Sequence, residues 1–120
     1  MKPKFLPYFS AVLLPLSGAA TAASFTPGNL AVLQASASTN NTTFSVVEIN
    51  STSGGAVQSI AIDGATLPGA LRFSGSATST GYLATSQDGS LLAFAGHNST
   101  ATAVNANTLT ARGVGVLDST

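Results

Sequence analysis

From Ser24 onward apolar residues recur at alternate positions, and no window sustains the three-to-four spacing of a helical stripe, so the chain reads as strands. In "NLAVLQA", Leu30, Val32 and Gln34 share one face and Ala31 and Leu33 the other, after the turn former "TPGN". "TFSVVEIN" sets Phe44, Val46, Val47 and Ile49 around Glu48, and "AVQSIAID" alternates Val57, Ser59 and Ala61 against Gln58, Ile60 and Ile62. The Gly-containing "STSGG" between them predicts a hairpin. "ALRFSG" is a short candidate strand. "YLATS" and "LLAFAG" flank Gln87-Asp88-Gly89-Ser90, a second hairpin, because Asp-Gly enters positive φ readily. "TLTARGVGVLD" is the last periodic run. Six or seven short strands with turn residues between them predict an all-β sandwich, barrel or part of a propeller.

Pro27 and Pro68 fall in turns, as their missing amide donors require. "ASASTNNTT", Ala35 to Thr43, has no apolar residue larger than alanine and is expected to be a solvated loop. Four sequons, at Asn40, Asn41, Asn50 and Asn98, become glycosylation sites only in a source that glycosylates its secreted proteins. "VVEINST", Val46 to Thr52, can be laid over "VGVLDST", Val114 to Thr120, with three identities. As an internal repeat this overlay implies that the chain stops one strand short of a unit, leaving an unpaired edge.

The leader "MKPKFLPYFSAVLLPLSGAATAA" has two lysines, an apolar segment from Phe5 to Leu16 and a small-residue tail with Ala20-Thr21-Ala22. That is the order of a secretory signal peptide cut after Ala22, and Pro7 and Pro15 argue against the rival reading as a membrane anchor. The expected division is a signal peptide at 1–22 and one domain at 23–120, exported to the periplasm, the medium or the cell surface, with no membrane contact after cleavage.

Charged residues are only 7% of the chain, against about 25% in average proteins, so solubility rests on hydroxyls and amides. Without the leader's Lys2 and Lys4, Arg72 and Arg112 face Glu48, Asp63, Asp88 and Asp118. This acidic balance argues against nucleic acid as a partner, because phosphate neutralisation needs clustered cations. The absence of cysteine removes disulfides, thiolate metal sites and a cysteine nucleophile.

Three stretches together carry a resemblance: "SFTPGNLAVLQ" behind the leader, the "VVEIN" and "VQSIAI" hairpin, and "SGSATSTGYLATSQDGSLLAFAGHN". The chain resembles the amino-terminal part of a poorly characterised group of secreted bacterial β-propeller-like proteins. The matching positions are Phe25, Gly28, Asn29 and Leu30; Ser74, Gly75, Ala77, Thr78, Ser79 and Gly81; and Ser86, Asp88, Gly89, Leu92 and Gly96. The chain departs at Thr80, where an acidic residue is usual, and at His97, where an aromatic is usual. The likeness spans nearly all of the chain behind the leader, although its Asp-Gly element is common to many propellers. It implies a propeller fold and an extracellular or surface address, and it transfers no catalytic residue.

His97, the only histidine, is the one imidazole available for base catalysis or metal ligation. It follows Gly96 and precedes Asn98-Ser99-Thr100, which reads as a solvated loop beyond a strand end. Asp88 and Asp118 read as turn residues bonded to nearby amides. The four acids are too widely separated for a calcium site, and Ser79, Ser86 and Ser90 lack a nucleophile-elbow setting. "GVG", Gly113 to Gly115, reads as a flexible or bulged strand rather than a phosphate loop. Glu48 and Arg72 interrupt apolar runs and either pair across strands or point to the wet face. Phe25, Phe44, Phe73, Tyr82 and Phe94, about one per strand, read as core packing rather than a sugar-stacking platform. No catalytic, cofactor or metal residue is assigned.

The expected fold is therefore all-β: antiparallel strands of a β-propeller-like domain present as an incomplete fragment, with a small β-sandwich as the alternative. The expected function is a secreted or cell-surface binding or scaffold module whose partner is an extracellular ligand or the remainder of the propeller. The alternative is part of an extracellular propeller enzyme, lactonase-like or carbohydrate-active, with its catalytic residues beyond Thr120.

Overall fold

The computed structural model describes residues 24–118; the expected signal peptide at 1–22, its expected cleavage point and the last two residues of the repeat overlay lie outside the described residues. The described chain is all-β, as its two-residue period predicts. Strands β1 (Leu30–Ala35), β2 (Phe44–Ile49) and β3 (Ala56–Ile62) form one antiparallel meander, and β4 (Leu83–Thr85), β5 (Leu91–His97) and β6 (Arg112–Asp118) form a second. A single 3₁₀ turn, Ala106–Thr108, precedes β6, and no helix among the described residues is long and apolar enough to cross a membrane. Neither sheet closes on itself.

Both predicted hairpins form. Asn50 Oδ1 accepts from the amides of Thr52 and Ser53, and the Asn50 amide donates to the Gly55 carbonyl, which closes the β2–β3 loop. In the β4–β5 turn, Gly89 has φ 73°, a value that L side chains rarely adopt. Asp88 caps this turn: its Oδ1 accepts from Ser86 Oγ, the Ser90 amide and Ser90 Oγ.

The inner faces follow strand parity. Phe44 and Val46 of the first sheet meet Leu92 and Phe94 of the second, with Leu71 and Phe73 of the intervening segment wedged between them. Phe44 and Phe73 lie 4.5 Å apart, and Phe44 and Phe94 meet edge-to-face at 5.7 Å. The candidate strand "ALRFSG" does not form as such. Instead, Arg72 exchanges backbone hydrogen bonds with His97 of the second sheet, and Phe73 does so with Thr42 beside the first, so two adjacent residues tie the sheets together.

The "GVG" segment corrects another expectation. β6 runs in unbroken register with β5 from Leu91↔Asp118 to His97↔Arg112, and it is not bulged. Gly113 and Gly115 face inward because larger residues do not fit: a Cβ on Gly115 would lie 2.3 Å from Phe94 Cε2, and one on Gly113 2.6 Å from Leu71 Cδ2. Gly115→Ala is therefore expected to cost about 1–3 kcal/mol through overpacking. Val114→Ala, at a residue 72% exposed, is expected to stay within about 0.5 kcal/mol. Paired urea melts check this, and equal stabilities would mean that Phe94 does not pack on β6.

The repeat overlay does not join equivalent faces. It sets Val46, inward and buried, on Val114, outward and exposed. Outside the core both sheets remain apolar. Leu30, Val32 and Val57 are exposed on the outer side of the first, and Leu91, Val114 and Val116 on that of the second.

Candidate functional site

Among the clefts of the described surface are two with several polar side chains in their walls. The larger, about 600 Å³, lies between the N-terminal turn at Thr26 to Asn29 and the β4–β5 turn, with Phe25, Asp88, Ser90 and Asp118 in its walls. Its N-terminal wall is anchored by Glu48. The side chain of Glu48 shares the parity of Phe44 and Val46 and is buried, and Oε1 accepts from the Thr26 amide (2.8 Å) and Asn29 Nδ2 (2.6 Å) while Oε2 accepts from Gln58 Nε2 (2.7 Å). The Asn29 amide, with those of Gln58 and Thr26, holds this carboxyl down from 4.5 to about 2. Asp88 is held at about 2 by Ser86 and Ser90.

Arg72 does not pair with Glu48, nor does it point to water. It is buried, with Nε donating to Asn41 Oδ1 (2.6 Å) and Nη1 to the Gly64 carbonyl (3.0 Å). Asn41 in turn donates to the carbonyls of Ala101 and Val104. The 35–43 loop is thus largely exposed, as expected, but pinned at Asn41. Asn98 Nδ2 is similarly committed, to the carbonyls of Pro68 and Ala70. A glycan at either amide displaces these contacts, whereas Asn50 lies in an exposed turn.

The smaller cleft, about 200 Å³, corrects the reading of His97. This residue is the last of β5, not a solvated loop residue, and is only 7% exposed. Residues after β5 fold back over it: its Nδ1 lies 3.3 Å from the Leu109 carbonyl. A carbonyl can only accept, so Nδ1 carries the proton and Nε2 the lone pair. Burial, and then the nearby Arg112 charge, push the His97 pKa below its ordinary value, which keeps the ring neutral at pH 7. The cleft is lined by Phe73, Ser79, Thr80, Tyr82, His97 and Arg112 among others.

Tyr82 also departs from its expected place. Phe44, Phe73 and Phe94 are core residues and Phe25 packs against them, but Tyr82 is 74% exposed at the rim of this cleft. Strand parity held the signal, because Leu83 faces inward and Tyr82 must then face out. The meeting of Arg112 with His97 was legible only once β5 and β6 were paired in register.

Among the described residues no three His, Cys, Asp or Glu side chains gather where they could hold a metal ion. The smaller cleft contains an imidazole acceptor and a guanidinium. No family model matches the chain, and no curated protein or solved structure matches it either.

Proposed function

We propose that this protein is a secreted or cell-surface β-propeller-type module that binds or scaffolds. The observation that carries this reading is the apolar character of both sheets on both faces. In a two-layer sandwich the outer faces alternate to polar residues. Here Leu30, Val32 and Val57 occupy one outer face and Leu91, Val114 and Val116 the other, the kind of exposed apolar surface that marks an interaction site. Sheets arrayed radially are covered on both sides by their neighbours. In this reading the two meanders are adjacent blades, and the remainder of the propeller covers the apolar rows at Leu30, Val32 and Val57 and at Leu91, Val114 and Val116, leaving the end of the second sheet at His97 and Arg112 open. The leader supplies the address.

Two measurements test the two parts. N-terminal sequencing of material from the medium or periplasm is expected to begin at Ala23 or Ser24; intact Met1 in a membrane fraction overturns export. The purified chain is expected to associate with rising concentration, and Val32→Lys combined with Val114→Lys is expected to suppress that association. A strictly monomeric parent with a cooperative thermal transition favours the self-contained sandwich instead.

A further inference from the structure

The cleft beside His97 is too small for a drug-sized ligand, which takes roughly 300 Å³ or more, and its 200 Å³ suits a single ring. Arg112 is the one charged side chain in its lining, which holds no acid and a neutral His97. Arg112 Nη1 donates to the carbonyls of Leu109 and Ala111 at this end of β6. Nε and Nη2 remain for the two parallel hydrogen bonds that an arginine makes to a carboxylate. Tyr82 offers an exposed aromatic face at the rim, a surface for an apolar C–H face with a phenol at its edge. His97 offers an acceptor at Nε2. Thr80 Oγ1 donates to the Ser74 carbonyl and retains lone pairs for a ligand hydroxyl.

A carboxylate, an apolar ring face and several hydroxyl donors on one ring-sized molecule describe an acidic sugar. We propose that this cleft binds a uronic acid residue, with its carboxylate on Arg112, its ring face on Tyr82 and one hydroxyl donating to His97 Nε2. The inference rests on the reading of the chain as a binding module and supplies its ligand class. A neutral hexose leaves Arg112 without its partner, and a simple carboxylate leaves Tyr82 uncovered.

The test is an NMR titration of the purified, isotope-labelled protein at neutral pH with glucuronate, glucose and acetate in parallel. Glucuronate is expected to give saturable shifts at Thr80, Tyr82, Arg112 and the His97 ring. Glucose and acetate are expected to bind about tenfold more weakly or worse, the loss that follows removal of one charged or well-packed contact. Tyr82→Ala and Arg112→Gln are each expected to weaken glucuronate by about tenfold with unchanged circular dichroism, and Tyr82→Phe to retain binding. If Arg112→Gln loses its fold, the two Tyr82 variants decide. No saturable shift with glucuronate, glucose or acetate binding as tightly as glucuronate, or Tyr82→Ala binding as tightly as the parent each overturns the proposal. Export and association are measured separately, so a failed titration of exported protein strikes the uronate site alone.

Discussion

Phe44→Ala is expected to lower the unfolding free energy by about 3–5 kcal/mol, the range for deleting a buried aromatic ring. Phe44 is 1% exposed and touches both Phe73 of the connecting segment and Phe94 of the second sheet. It is therefore the side chain through which the two sheets and their tie share one core. Each ring pair adds about 0.5–1.5 kcal/mol beyond the area it buries. Domains of this size have only about 5–15 kcal/mol to lose, so the variant is expected to be largely unfolded in urea concentrations that leave the parent intact. Tyr82→Ala, which removes an exposed ring, is expected to change stability by no more than about 0.5 kcal/mol. Urea melts followed by far-ultraviolet circular dichroism measure both. If Phe44→Ala melts within about 1 kcal/mol of the parent, the sheets do not depend on a common core and the face-to-face arrangement falls.

The strands and both hairpins were legible in the sequence because they depend on local features: a period of two, Gly at a positive-φ turn position, and Asn or Asp with side-chain oxygens that accept from turn amides. Which face turned inward was not, since both faces of β1 are apolar. The larger pair Leu30 and Val32 faces out while Ala31 and Leu33 pack against the core. The tie at Arg72 and Phe73 has no periodicity to reveal it, because neighbouring residues pair with different sheets. His97 departs from its expected loop setting for a related reason. The Asn-Ser-Thr after it does leave the strand, but Leu109 returns to cover the ring, a contact between residues far apart in the loop.

The larger cleft is not legible in the sequence, because its wall is set by side-chain contacts across the fold and its anchor, Glu48, reads there as facing water or pairing with Arg72. Parity held the correction, since Glu48 is in step with Phe44 and Val46 and must face inward with them. A carboxylate in that position is tolerable only if donors surround it. They come from the turn at Thr26 to Asn29 and from Gln58 on β3, so one buried charge specifies how the N-terminal segment docks.

Glu48→Ala is accordingly expected to release that segment. The Thr26 amide and Asn29 Nδ2 lose their acceptor and can recover a partner only by lifting the turn into water, and Gln58 Nε2 loses one of its contacts. The thermal midpoint is expected to fall by roughly 10 °C, and hydrogen exchange at Thr26 to accelerate while Val46 and Val47 on β2 stay protected. Acid provides an independent check. The folded-state pKa of Glu48, about 2, lies below its ordinary 4.5, so folding favours the carboxylate. Its stabilisation is complete above pH 4.5 and is withdrawn as the pH falls through about 2. Asp88, lowered in the same direction by Ser86 and Ser90, accounts for part of the parent's acid lability and is unaffected by the substitution. The midpoint of Glu48→Ala is therefore expected to decline less steeply than the parent's across that window, and Asp88→Asn to remove a further share of the slope. Identical acid profiles for parent and Glu48→Ala would show that Glu48 is not ionised against the turn, and the larger cleft would then lose the anchor that shapes its wall.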